Sequence, residues 1–359
     1  MSSVEPGMSS VEPGMSQFER ELREQPDALA RLLVRGRSQA GALGDRIRRF
    51  DPRFVLIAAR GSSDNAARYA GYLFGTRHGL VTALAIPSLV TRYRSALRLD
   101  NALVFGVSQS GQSPDIVGTI EHARRQGALT IALTNDVDSP LAEVADASLS
   151  LEAGEERAVA ASKTYSNEVL AFAMLSAAIA RDAAAWDDLA KLPDAVRQTV
   201  AVSANVRESV WRFRNTAGVA VVGRGFNVGT AHEIALKTME MTYIMAQSFA
   251  LPDFLHGPVA MMDENLPTIV IATDGAIVGD MIEFIEVARR RDVPLIAISD
   301  RDDVLAAVDV PLRVMGDIPE WLSPLTAIVP GQFWALALAG ARGLSPDHPR
   351  GLSKVTATE

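Results

Sequence analysis

Ser108, Gln109, Ser110, Gly111, Gln112, Ser113, Pro114 and Asp115 follow an apolar run at residues 102–107, and helical periodicity begins at about Pro114. Three hydroxyls and two amides around a glycine, set before a helix whose first N–H groups lack intrahelical partners, make an anion-binding loop suited to phosphate. A serine-capped turn has the same composition. Gly61, Ser62, Ser63, Asp64 and Asn65, after a run at 54–59, bring two more hydroxyls. Glu233, Lys237 and Glu240 lie four and three residues apart in a helical stretch opened by Asn227, so their charged heads share one face. On a surface this is a salt-bridge stripe. Buried, a lysine beside two carboxylates can hold one ionised and orient it as a base.

Lysine usage sharpens that reading. Of 35 basic residues only Lys163, Lys191, Lys237 and Lys354 are lysines. Arginine cannot form an imine and scarcely loses its proton, so these few lysines are candidates for amine chemistry. His256 sits in a turn-rich segment, residues 251–258, that would display an imidazole from a rigid loop. The tail carries Ser353 and Lys354, and Pro349, Gly351, Val355 and Thr356 give it a specified path that could fold back over a site, although such tails are usually frayed.

Other chemistries are excluded or disfavoured. There is no GxxxxGK[ST] loop, and Gly223, Gly225 and Gly229 match a dinucleotide fingerprint only loosely, so no cofactor is expected. None of the five histidines pairs at a metal-ligand spacing, and no metal is expected. Cysteine is absent, which removes disulfides, thiolate zinc sites and a cysteine nucleophile and fits a reducing compartment, the cytoplasm by default. A net charge of −8 argues against general nucleic-acid binding. The N-terminus repeats MSSVEPG in tandem, with acidic residues and no apolar core, so residues 1–14 are expected to be disordered rather than a signal peptide or anchor. No uninterrupted apolar run reaches spanning length, and no membrane association is expected.

The elements that must position these residues form an α/β pattern. A helical lead over about 17–49 precedes strands expected at 54–59, 81–85, 102–107, 129–133 and 147–151. Helices follow from Lys163 to about 180 and over about 194–213, and a strand at 219–222 restarts the alternation. The restart is a repeat: residues 121–136 resemble 286–301, and Arg60-Gly61 parallels Arg224-Gly225, at offsets of 165 and 164. The expectation is a tandem pair of open, doubly wound parallel sheets flanked by helices, with ligands beyond the carboxyl ends of the strands. The matching loop in the second copy, Ala272, Thr273, Asp274 and Gly275, lacks the serines and puts a carboxylate where an anion would sit, so only the first copy should bind phosphate. The expected divisions are 1–14, a first domain at 15–190, a second at 191–345 and a tail at 346–359 over the site.

Seven segments, QFERELREQPDAL, RGSSDNA, SQSGQS, VAASKTYS, GRGFNVGTAHEIALKTMEMTYI, the FLHGP turn and PRGLSKVT, give residues 15–359 a specific resemblance to the tandem sugar-isomerase (SIS) domain family, which includes the isomerase half of glucosamine-6-phosphate synthase. The resemblance implies that Ser63, Ser108, Gln109, Ser110 and Ser113 bind a sugar phosphate, with Ser62 nearby. It implies that Val159 and Ala161 line the sugar pocket, Ala161 standing where the synthase has serine. Glu240 would move a proton between C1 and C2, assisted by Lys237; His256 would open the ring. Lys354, beside Ser353, would form an imine or support the open-chain sugar, and Glu233 is a further polar pocket residue. The family also implies a homodimer in which the histidine comes from the neighbouring subunit. With no cysteine, and with no glutaminase domain expected, the chain most resembles the stand-alone glucosamine-6-phosphate deaminases of the family. Fructosamine-6-phosphate deglycases, galactosamine-6-phosphate deaminase/isomerases, aldose–ketose isomerases and non-catalytic sugar-phosphate sensors are the alternatives.

Overall fold

The structure is a computed structural model that describes residues 14–354. The expectation of disorder over 1–14 lies, Gly14 apart, outside the described residues, as do Val355 and Thr356. Strands β1 (Phe54–Ala58), β2 (Val81–Leu84), β3 (Ala102–Ser108), β4 (Leu129–Thr134) and β5 (Ala147–Ser150) form one sheet. Strands β6 (Gly218–Gly223), β7 (Met245–Ala250), β8 (Thr268–Ile271), β9 (Leu295–Ser299) and β10 (Val310–Arg313) form the other. The strand orders, β2-β1-β3-β4-β5 and β7-β6-β8-β9-β10, are the same order twice, with every pairing parallel. Strands β3 and β4 are buried at every position because helices cover both faces, which is why they read as largely apolar runs rather than alternating ones. In this order the connections change direction between β1 and β3, and the crevice beyond their carboxyl ends is where such sheets hold ligands.

The helices join the two copies. Gly61–His78 follows β1, and Val228–Thr242 follows β6 after a single turn; these counterparts pack on each other. They cross at Gly229, where an added Cβ would stand 2.5 Å from the Asn65 carbonyl oxygen, so only glycine permits the approach. The crossing sets the first turn of one helix, with Ser62 and Ser63, against the charged face of the other.

Lys163–Ala180 and Ser323–Ala341 are buried almost all round and lie in a core that draws on both sheets. One helix bears on the expectation about apolar runs. Glu320–Ala341, 22 residues with a window of mean hydropathy 1.4, is long and apolar enough by composition to cross a membrane, but 94% of that window is buried inside the molecule, as befits a core helix.

Two helical boundaries also differ from expectation. The lead divides into Gln17–Arg23, Gln25–Arg35 and Arg37–Phe50, whose apolar faces pack largely on Lys163–Ala180 and its successor. That successor spans Ala183–Ser203, not 194–213: Asp182 caps it by accepting from the Ala185 N–H, and Pro193 lies inside it. Proline removes one helical hydrogen bond, and the buried face formed by Leu189, Leu192, Val196 and Val200 holds the helix together across the gap. The boundary placed between 190 and 191 falls within this helix.

Candidate active site

Beyond the ends of β1 and β3 lies a cavity of about 350 Å³. The first sheet contributes Ser62 and Ser63 from the start of the Gly61–His78 helix, and Ser108, Gln109, Ser110 and Ser113 from the loop between β3 and the Pro114–Arg125 helix. The chain after β5 adds Glu156, Val159 and Ala161, the second copy adds Lys237 and Glu240, and the tail adds Leu352, Ser353 and Lys354. Residues separated by almost 300 positions thus meet in one hollow.

The serine loop holds its own shape. Gly111 N–H donates to Ser108 Oγ (3.1 Å) and Gln112 N–H to Ser110 Oγ (3.3 Å), while Ser113 is the N-cap residue of the following helix. Gly111 has φ +63°, and a Cβ there would stand 2.1 Å from Ser139 Oγ. A Gly111→Ala variant therefore combines left-handed strain with a clash and is expected to lose about 1–3 kcal/mol of stability. Its melting temperature should fall by several degrees and its phosphate affinity should drop; a loop that tolerated alanine with neither change would contradict this account.

At the other wall, the Lys237 ammonium is buried between Glu240 Oε2 at 2.5 Å and Glu233 Oε1 at 3.5 Å. Burial works against its charge, but the two carboxylates outweigh burial and hold Lys237 above the ordinary lysine value. Glu233 is fully buried and accepts from Ser62 Oγ (2.9 Å) and Asn65 Nδ2 (2.8 Å); burial pushes its carboxyl up, against the pull of Lys237. Glu233 stands behind the cavity wall and reaches it through Ser62 and Lys237, whereas the Glu240 side chain is 22% exposed and faces the hollow.

The tail lysine is held from below. Lys354 Nζ donates to Glu156 Oε2 (2.8 Å) and to the Ala158 carbonyl (2.7 Å), and Glu156 Oε1 accepts the N–H groups of Ser162 (3.0 Å) and Thr164 (3.1 Å). Burial raises Glu156, but Lys354 and these donors prevail and keep it below the usual carboxylate range. Sequence reasoning missed Glu156, which lies in an aperiodic stretch with no spacing to single it out. It also missed the buried Glu168, which accepts from Ser63 Oγ at 2.7 Å and which burial pushes well above the ordinary range.

Arg60 stands out in the sequence only as a repeat landmark. It lines the cavity, and its Nε and Nη2 lie 2.9 and 2.8 Å from Asp115 Oδ2. Arg224 and Asp280 repeat the pair in the second copy at 3.1 Å, so the bond ties the end of each copy's first strand to the helix after its third.

The structure also locates His256 and Asp274. His256 is exposed at the end of the short Leu251–Leu255 helix and does not line the cavity of its own chain. In the second copy Asp274 pairs with Arg301 at 2.6 Å, and the carboxylate that meets the loop is Glu320, whose Oε2 accepts the Ala276 N–H at 2.8 Å. Donor hydroxyls at one end and an ammonium-anchored carboxylate at the other equip the first-copy cavity to hold an anion and move a proton on a molecule of sugar size.

The SIS domain family profile matches residues 50–179 and 213–309. A glutamine–fructose-6-phosphate aminotransferase (isomerizing) from Thermococcus kodakarensis is 30% identical over 352 residues, 95% of this chain and 58% of that protein. The chain thus spans little more than half the length of such curated relatives. Among solved structures, a candidate phosphosugar isomerase from Silicibacter pomeroyi DSS-3 is 33% identical with a TM-score of 0.83, covering 93% of this chain and 100% of its own. Glucosamine-6-phosphate deaminase from Thermotoga maritima, at 20% identity, a TM-score of 0.79 and coverage of 96% and 100%, shares the fold.

Proposed function

This chain belongs to the SIS domain family, and from that membership we propose that it converts glucosamine 6-phosphate to fructose 6-phosphate and ammonia. The observation that carries the reading is the meeting, in one cavity, of the serine loop, the Lys237–Glu240 pair and the tail Lys354. The activities named for the relatives, amino transfer with fructose 6-phosphate and deamination of glucosamine 6-phosphate, support an amino-sugar phosphate as substrate.

Ser63 and the Ser108–Ser113 loop hold the phosphate, so binding energy from the far end of the sugar orients C1 and C2. Once the ring is open, Glu240 takes the proton from C2, next to the C1 aldehyde, and electron density moves onto the C1 oxygen beside the lysine ammonium groups. Return of that proton to C1 leaves a 2-imino sugar. Addition of water at C2 then expels ammonia and leaves the ketone of fructose 6-phosphate. His256 lies outside its own chain's cavity, so ring opening by this residue calls for a homodimer in which a second copy supplies it.

The test is ammonia release, coupled to glutamate dehydrogenase, from glucosamine 6-phosphate, N-acetylglucosamine 6-phosphate, galactosamine 6-phosphate and a fructosamine 6-phosphate side by side. Rapid release from glucosamine 6-phosphate alone is expected. Release from none of them, with hexosamine phosphates still raising the melting temperature, would replace the deaminase by a plain isomerase or a sensor.

A further inference from the structure

Ser63 is a phosphate ligand in the function proposed above, and the following rests on that reading. A serine hydroxyl has one proton to donate and two lone pairs that accept. In the resting molecule Ser63 donates to Glu168 Oε1 at 2.7 Å, so an arriving phosphate finds its intended donor already engaged. We propose that Glu168 is a positioning residue which, carrying a proton, donates to Ser63 Oγ and turns the Ser63 hydroxyl toward the substrate phosphate.

The alternative is unfavourable on simple grounds. An ionised Glu168 and a phosphate would be two acceptors competing for one proton, and the loser would be a buried anion without a donor. With the proton on Glu168, a chain from carboxyl to hydroxyl to phosphate satisfies each group. The surroundings favour the protonated form. Glu168 is buried, and its Oε2 is buried with no hydrogen-bond partner among the described residues. Glu156 and Glu233 face it and disfavour its charge, Lys354 favours it, and Tyr165 stands one turn earlier on the same helix. Burial is the largest influence and pushes the carboxyl well above its ordinary value. The sign follows: the neutral form persists above the usual carboxylate range and is lost as pH rises through the raised value. Ionised Glu168 would then retain the Ser63 proton and repel the phosphate.

Two variants separate this role from mere packing. Glu168→Gln keeps a donor that does not titrate, whereas Glu168→Ala removes it. At neutral pH the glutamine variant should bind glucosamine 6-phosphate within about threefold of the unaltered protein, and the alanine variant should raise KM about tenfold or more, with kcat changed less. Across pH, the unaltered protein should show KM rising on the alkaline side and the glutamine variant should not. Equal losses in both variants, or an unchanged alkaline rise with glutamine, would overturn the proposal. If the unaltered protein binds neither glucosamine 6-phosphate nor inorganic phosphate in calorimetry, the phosphate reading falls and this inference with it. If it binds both and Ser63→Ala weakens them, but the Glu168 variants behave alike, only the role of Glu168 falls. Should neither variant fold, the infrared spectrum of the unaltered protein decides: a protonated-carboxyl band that shifts on adding inorganic phosphate is expected, and the lack of any such band would refute the idea.

Discussion

A Glu240→Gln variant is expected to lose a factor of about 10²–10⁴ in kcat while its affinity for glucosamine 6-phosphate stays within a few-fold. Glutamine keeps the size and shape of the side chain but cannot take a proton. Glu240 faces the cavity with its position fixed by an ammonium 2.5 Å away, whereas Glu156, which also lines it, is engaged by Lys354 and two backbone N–H groups and would have to move to inherit the task. The serine loop, which comes from the other copy, is untouched, and the phosphate should still bind. Deuterium exchange at C2 in heavy water gives the sharper readout, because it reports proton abstraction even where later steps are slow. Exchange and turnover near the original rates would remove Glu240 from the role of base. The change also leaves Lys237 with Glu233 alone at 3.5 Å, so a lower melting temperature should accompany the kinetic loss.

The second large effect is expected at the tail. Lys354→Ala, or a chain ending before Ser353, should reduce kcat/KM by about 10²–10³, the loss typical when one preorganised stabilising group is removed from an active site. Two consequences combine. The cavity loses a positive charge near the developing oxyanion, and Glu156 keeps two backbone donors but loses its cationic partner. A buried carboxylate so abandoned shifts upward, its charge held by the two backbone donors alone. Pairing Lys354→Met with Glu156→Gln separates the consequences: if the isolated charge on Glu156 causes most of the damage, the double variant will be more active than Lys354→Met alone. Full activity in the truncated chain would show that the tail has no part in the reaction.

The sequence was legible where burial follows a period. The β3 and β4 strands announce themselves as largely apolar runs because both faces are covered, and the copies declare each other through Arg60-Gly61 and Arg224-Gly225. The serine loop and the Glu233, Lys237 and Glu240 stripe were legible because their spacing is local. Glu156 and Glu168 were not. Glu156 belongs to an irregular segment, and what distinguishes it is a lysine 198 positions away. Glu168 lies in a helix where every residue from Lys163 to Ala178 is buried, so no polar face exists from which it departs. An acid in a helix with no exposed side is a signal in itself, since burial of a carboxyl requires a reason. Proline normally ends a helix, and the packing that carries Ala183–Ser203 through Pro193 comes from segments distant in sequence, which local pattern does not show.

The Glu320 contact gives the duplication a mechanical meaning. A ligand carried on the same chain has an effective concentration that a dissolved molecule rarely matches. The loop after β8 is therefore occupied by a carboxylate of its own chain, while its counterpart after β3 opens into an accessible hollow. In the proposed function one copy of the fold is the receptor; the other is a rivet, closed by its own carboxylate and serving as the frame from which Lys237 and Glu240 are presented.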